Sequence, residues 1–149
     1  LLIAGEGTLD GKLRSNYADC THVRFLGRLK EKQIGALLRE ADAAISPSWG
    51  PEAFALVNVE AMSCGTPVIA RRSGGNAESI ERSGGGLVYD NPQELLPLVD
   101  RIAGDPELQR NLALKAGEGY LKYFSETRWM ENYFEVIRSI TASKAAQLR

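Results

Sequence analysis

The chain has 149 residues, the size of one ordinary domain. Hydrophobic residues make up 44% and charged residues 25%, the balance of a globular protein able to bury a core. Its 18 basic and 19 acidic side chains leave a net charge of −1, which argues against nucleic acid as the main partner, since phosphate binding needs a basic excess or patch. No apolar run approaches the length that spans a bilayer.

The chain opens at Leu1 with Leu-Leu-Ile-Ala, already a strand, with no methionine and no polar lead-in. The start is therefore read as truncated within a longer protein. Further short apolar runs follow at Val23–Leu26, Ala43–Ser46, Val68–Ala70 and Gly86–Val88. With Leu1–Ala4 they predict five parallel strands, apolar on both faces because helices cover them. Helical patterns fall between them: weakly over Leu9–Cys20, then Glu31–Glu40, Phe54–Ser63 and Ala77–Arg82. Gly65 is a predicted left-handed cap, and Pro67 forbids continuation.

After Tyr89 the pattern becomes all helix. Pro92 marks a helix start, and Pro97 predicts either a bend or a delayed start in that helix. Asp105-Pro106 opens the next helix, and Ser125 caps the last. That last helix carries Trp129, Tyr133, Phe134, Ile137 and Ile140 as an apolar stripe, and its polar tail from Thr141 to Arg149 is expected to fray. Strand–helix alternation implies right-handed crossovers and an open α/β parallel sheet with helices on both faces. Ligands on such sheets bind at the carboxyl ends of the strands, just after Ala4, Leu26, Ser46 and Ala70.

Cys20 and Cys64 lie far apart and make neither a disulfide framework nor a zinc site. They read as reduced thiols of a cytoplasmic protein, with Cys64 a small buried residue. His22, the one histidine, reads as a surface turn residue, which leaves Ser/His catalysis without a base. Gly5-Glu6-Gly7 with Gly11 has the wrong spacing for a dinucleotide loop and reads as a plain turn, which counts against a Rossmann-type oxidoreductase. Trp49 is expected either to stack on a base or sugar or to pack in the core. Arg71 and Arg72 are expected to meet phosphates or water.

The segment after the third strand carries the most chemistry. Eighteen residues from Ala53 to Ala70 hold one charge, Glu60, and a carboxylate in so apolar a run is costly unless paired or bonded to a ligand. Glu52 precedes the helix. Free amides at Ala55, Leu56 and Val57, with the helix dipole, can hold a phosphate. Glu60 can accept two hydrogen bonds from a vicinal diol such as a ribose. On residue types alone the alternative is that Glu60 is solvated and Glu52 an ordinary loop charge.

Glu52-x7-Glu60, followed by Ala-Met-Ser-Cys-Gly-Thr-Pro-Val-Ile-Ala, resembles the signature of the retaining glycosyltransferases of family 4 (group 1). Leu-Leu-Ile-Ala-Gly5-Glu-Gly7, Val-Arg-Phe-Leu-Gly27-Arg28-Leu29, Ala41-Asp42 with Ser46-Pro47-Ser48, and Gly74-Gly75-Asn-Ala-Glu78 fit as well. The resemblance implies the C-terminal, Rossmann-like half of a GT-B fold, lacking its first strand and helix. It implies that Glu60 binds the nucleotide ribose and that Glu52, as the catalytic residue, contacts donor-sugar hydroxyls. The amides of Phe54, Ala55, Leu56 and Val57 would hold the diphosphate or sugar, and the Gly27-Arg28-Leu29 turn would line the base pocket. No metal or other cofactor is expected.

Two departures stand out. Ala53-Phe54-Ala55 replaces the family's frequent Gly-Phe-Gly, and the Gly-Arg turn and lysine that grip the diphosphate have no counterpart in this chain. The function implied is donor binding in a hexosyltransferase that moves a sugar from a nucleotide sugar to a saccharide or lipid-linked acceptor. The acceptor would be held by an absent N-terminal domain, which would also set any peripheral membrane attachment. The chain alone is expected to be inactive and to self-associate. A catalytically inactive nucleotide-binding module is the alternative.

Overall fold

The computed structural model describes residues 1–50 and 52–147, with side chains through residue 142. The chain divides into two compact units, Leu1–Leu37 and Leu38–Arg149. The first contains β1 (Leu2–Ala4), α1 (Asp10–Asn16) and β2 (Arg24–Gly27). β1 and β2 pair in parallel, Leu2 opposite Arg24 and Ile3 opposite Phe25, with an irregularity before Ala4. No residue of this unit is fully buried. α1 covers only the first part of the stretch Leu9–Cys20 predicted as helix, and carries the Asp10–Arg14 pair at 2.8 Å.

α2 (Glu31–Glu40) runs across the unit boundary at the predicted limits. The second unit holds β3 (Ala44–Ser46), α3 (Leu56–Ser63), β4 (Val68–Arg71), α4 (Gly75–Ser83) and β5 (Gly86–Tyr89). It continues with α5 (Leu95–Gly104), α6 (Pro106–Gly119) and α7 (Glu126–Gln147). β3, β4 and β5 form a parallel sheet in that order, with Ser46 opposite Ala70 and Arg71 opposite Tyr89. The fold class is therefore the expected α/β one, but the five strands lie in two sheets. Among the described residues no ladder joins β1 or β2 to β3.

Alternation along β4 sorts the core, because successive side chains of a strand point to opposite faces. Ile69 packs with Tyr89, Ile102 and Leu112, against Leu95, Leu98 and Val99 of α5. Val68 and Ala70 are fully buried, and α3 and α4 pack on the strands. A short 3-10 turn over Pro92–Glu94 precedes α5, so Pro97 falls in the helix's first turn, where its missing N–H has no intrahelical partner to lose. Its effect is a delayed start.

Asp105 caps α6, its carboxylate accepting from the amides of Glu107 and Leu108. Ser125 Oγ accepts from Arg128 N–H at 3.3 Å at the head of α7, as the sequence predicts. α7 continues to Gln147, so the tail is helical where fraying is expected, while residues 148 and 149 lie outside the described residues. The α7 stripe is exposed: Trp129 59%, Tyr133 49%, Phe134 45%, Ile137 39% and Ile140 60%. Among the described residues no helix is long and apolar enough to cross a membrane.

Candidate functional site

Parallel pairing of β3 and β4 brings their carboxyl ends side by side, so the loop carrying Glu52 and the turn before α4 leave the sheet together. The two segments are fastened main chain to main chain. Gly75 N–H donates to the Glu52 carbonyl at 2.6 Å. Ser73 Oγ donates to the Gly50 carbonyl at 2.5 Å. Gly74 has φ +51, and a Cβ there would collide with the Glu52 carbonyl; at Gly75 a Cβ would stand 2.8 Å from the Ala53 carbonyl oxygen. Both positions need glycine, one for backbone sign and both for close approach.

Beneath this seam lies a buried polar cluster. Ser46 Oγ donates to Asn76 Oδ1 at 3.1 Å, and Asn58 Nδ2 donates to the same oxygen at 3.2 Å and to Ser79 Oγ at 3.1 Å. Asn58 and Asn76 are both 0% exposed. The cluster ties the end of β3 to the first turns of α3 and α4. Asn58 Oδ1 and Asn76 Nδ2 remain unpartnered. None of this was legible from the sequence. The paired glycine before a helix with no capping side chain was the available signal.

Glu52 is half-buried, and Glu60 is exposed on the second turn of α3. Among the described residues neither carboxylate has a hydrogen-bond or ion-pair partner; the Glu60 carbonyl accepts from Ser63 Oγ at 2.7 Å. Phe54, Leu56 and Val57 expose 51%, 65% and 47% of their surface, while Ala55 is buried. One expectation needs correction: the Leu56 amide is not free, because it donates to the Phe54 carbonyl at 2.9 Å. The turn that starts α3 closes on itself at that point. The amides of Phe54, Ala55 and Val57 make no such bond among the described residues.

Gly27, Arg28 and Leu29 belong to the first unit. Gly27 has φ +67 and its carbonyl accepts from Gly5 N–H at 2.7 Å. Arg28 is exposed, Leu29 half-buried, and the Arg28 amide donates to the Glu6 carboxylate at 3.4 Å. Gly5-Glu6-Gly7 is thus a plain turn that supports the Gly27 turn, a role for Glu6 that the sequence reading missed.

Trp49 is not a core residue. It is 74% exposed, with the Arg71 guanidinium carbon 3.9 Å from its ring centroid. Arg72 is engaged by Glu81 and by Asp90, the latter at 3.1 Å. The Glu81 hydrogen bond, followed by the charges of Glu81 and Asp90, raises its pKa above the ordinary arginine value. Burial raises that of Tyr89, opposed by the charge of Arg71. Asp42 is exposed, and its carbonyl accepts from Gln109 at 3.2 Å. His22 is exposed as expected, but Cys64, expected buried, is half-buried because it lies at the C-cap of α3, where Arg39 and Ser63 approach its sulfur at 3.9 Å.

Residues 1–118 match the family described as glycosyl transferases, group 1. The chain belongs to the group 1 glycosyl transferases. It is 30% identical over 127 residues to an uncharacterized glycosyltransferase of Methanocaldococcus jannaschii, covering 83% of this chain and 36% of that protein. It is 33% identical over 112 residues to a GDP-mannose-dependent alpha-(1-6)-phosphatidylinositol dimannoside mannosyltransferase of Mycobacterium tuberculosis, covering 74% and 29%.

Among solved structures it is similar to HepE of Anabaena in complex with UDP-glucose, with TM-score 0.79, 26% identity, and coverage of 93% of this chain and 40% of that one. A sucrose-phosphate synthase of Thermosynechococcus elongatus gives TM-score 0.81 and 26% identity, with 96% and 39% covered. The fold is the α/β, Rossmann-like architecture of GT-B glycosyltransferases. The chain spans about a third of the length of the curated relatives it matches.

Proposed function

We propose that this chain is the donor-binding, C-terminal domain of a retaining family 4 glycosyltransferase. It would move a hexose from a nucleoside-diphosphate sugar to a saccharide or lipid-linked acceptor. The observation that carries the reading is the seam between Glu52 and Gly75, which fastens the glutamate loop to the start of α4, while among the described residues neither the Glu52 nor the Glu60 carboxylate has a protein partner. Likeness to a protein solved with UDP-glucose supports the same reading.

In this reading Glu60 accepts hydrogen bonds from the ribose diol and Glu52 from hydroxyls of the donor sugar. The amides of Phe54, Ala55 and Val57 meet the diphosphate at the positive end of α3, and the Gly27-Arg28-Leu29 turn lines the base. Catalysis is then positional and electrostatic: the donor is held so that the leaving diphosphate helps deprotonate the acceptor on the same face. Transfer needs no metal; EDTA leaving the rate unchanged supports this, and rescue by a divalent ion overturns it. The acceptor and any peripheral attachment to a membrane belong to the rest of a longer, cytoplasmic protein. Among the described residues β1 and β3 each have a single ladder partner, and an upstream strand of that protein would pair with such an edge. The chain alone is then inactive and prone to self-associate, which light scattering and addition of the upstream portion test.

The decisive experiment is thermal melting with UDP, GDP, ADP and NAD, repeated on Glu60→Ala. A ligand at a hundred times its Kd stabilises by about 2.7 kcal/mol, which at this length is roughly 2–4 °C for each kcal/mol. A shift with one nucleoside diphosphate that vanishes in the variant supports the reading. Equal shifts in both proteins overturn the ribose role. In the longer protein Glu52→Ala should abolish turnover; binding without turnover in the unaltered protein would favour an inactive module.

A further inference from the structure

Two adjacent arginines leave the end of β4, and their surroundings differ. Arg72 is neutralised by Glu81 and Asp90. Arg71 has no carboxylate within ion-pair distance among the described residues, although it sits at the ligand edge of the sheet. One face of its guanidinium lies on the Trp49 ring at 3.9 Å. Nη1 donates to the Trp49 carbonyl at 3.4 Å, a long bond. Nε is buried and has no acceptor. The side-on edge of the guanidinium, Nε with Nη2, is therefore an unfilled fork, the geometry that takes two oxygens of one carboxylate or phosphoryl group. Leaving a desolvated charged donor unpaired is costly. Trp49 is 74% exposed, so its indole can swing aside without disturbing the core, and the Ser73–Gly50 bond keeps its loop beside the Arg71 turn.

We infer that Arg71, uncovered when Trp49 swings aside, is a specificity-determining anion receptor that takes a carboxylate or phosphoryl oxygen of the bound donor through its Nε–Nη2 edge. The inference rests on the donor-binding reading above and assigns part of that site to a residue outside the glutamate signature. Binding a negatively charged group there removes the uncompensated charge and supplies the acceptor that Nε lacks.

The test is calorimetric titration of the chain, unaltered and as Arg71→Gln, Arg71→Lys and Glu60→Ala. The probes are UDP, UDP-glucose and UDP-glucuronate, with GDP, GDP-mannose, GDP-mannuronate, ADP and ADP-glucose run beside them. An affinity loss of at least about tenfold in Arg71→Gln for every bound probe, the bare diphosphate included, assigns the fork to a phosphoryl oxygen. A loss confined to the uronate assigns it to a sugar carboxylate. Arg71→Lys, which keeps the charge but not the fork, should recover only part of the affinity, and a cooperative melt of each variant separates lost binding from lost folding. Unchanged affinity of Arg71→Gln for all probes, with binding lost in Glu60→Ala, overturns the inference alone. If the unaltered chain binds none of the probes, the donor-binding reading fails with it.

Discussion

The two units of the chain are built to different standards of burial. Residues 1–37 form two parallel strands and a helix without a single fully buried side chain. Residues 38–149 wrap a three-stranded sheet whose central strand is buried from Val68 to Ala70. Apolar area removed from water is the main source of stability, so the second unit should hold the cooperative core and the first should open at lower free energy. The residues proposed for donor binding fall in both units. Glu52, Phe54, Ala55, Leu56, Val57 and Glu60 stand on the well-buried unit, while Gly27, Arg28 and Leu29 stand on the other.

The largest expected effect tests that division. Met62, fully buried on α3, should cost about 2–5 kcal/mol when changed to Ala, read by urea denaturation. Phe25→Ala, at a half-buried site backed by Arg14 at 5.1 Å, should cost well under half of that. Equal costs would erase the contrast between the units. Hydrogen exchange sharpens it: amides of β4 should exchange only through global unfolding, and those of β1 and β2 through local opening.

Next in size is Gly74→Ala. It forces a Cβ into the Glu52 carbonyl at a positive φ, and such strain costs about 1–3 kcal/mol. The melt should drop, and the nucleotide-induced shift should disappear even where the variant stays folded. A preserved shift would show that the loop does not need the seam. Smaller again is Asp105→Ala, which removes two capping bonds to Glu107 and Leu108 and should cost about 1 kcal/mol by thermal melting.

The smallest concerns Glu94, whose carboxylate accepts from the Asp90 amide at 2.9 Å and from Asn91 at 3.0 Å. The Asp90 bond first, then Asn91, holds its pKa below the ordinary 4.5. A depressed folded value means that the contribution is present above pH 4.5 and is lost as pH falls through the folded pKa. Titration by NMR should place the Glu94 midpoint below 4.5, and Glu94→Gln should flatten that part of the acid limb.

Much of the fold was readable because local signals agreed with the final packing. The five apolar runs became strands within a residue or two of their expected limits, and α2 matched at both ends. Asp105-Pro106 and Ser125 worked as caps because capping is a short-range hydrogen bond that residue type nearly determines. What the chain could not disclose was the long-range content. Nothing in the composition of Leu1–Ala4 or Ala44–Ser46 says which strands share a ladder. Nothing in Asn58 or Asn76 says that folding brings Asn76 to Ser46, 30 residues away, and Asn58 to Ser79, 21 away.

Glu52 lies in the loop before α3 and Glu60 within that helix, as the sequence predicts. The free amide assigned to Leu56 failed because a local turn took it, and Trp49 proved to be exposed over a cation. Residue spacing identifies which groups arrive at a ligand edge; it leaves their pairing open.

The buried amide pair carries a consequence for how this domain can change. Asn58 Oδ1 and Asn76 Nδ2 are each sealed from water without a partner, and a group in that state costs about 1–3 kcal/mol. Two aliphatic side chains of similar volume would remove both orphans but leave the buried Ser46 hydroxyl without its Asn76 acceptor. The price is directional: hydrocarbon packs in several rotations, whereas one shared oxygen on Asn76 admits a single azimuth of α3 against α4. The asparagine pair thus sets the azimuth of α3 against α4 by hydrogen bonds that hydrocarbon could not supply.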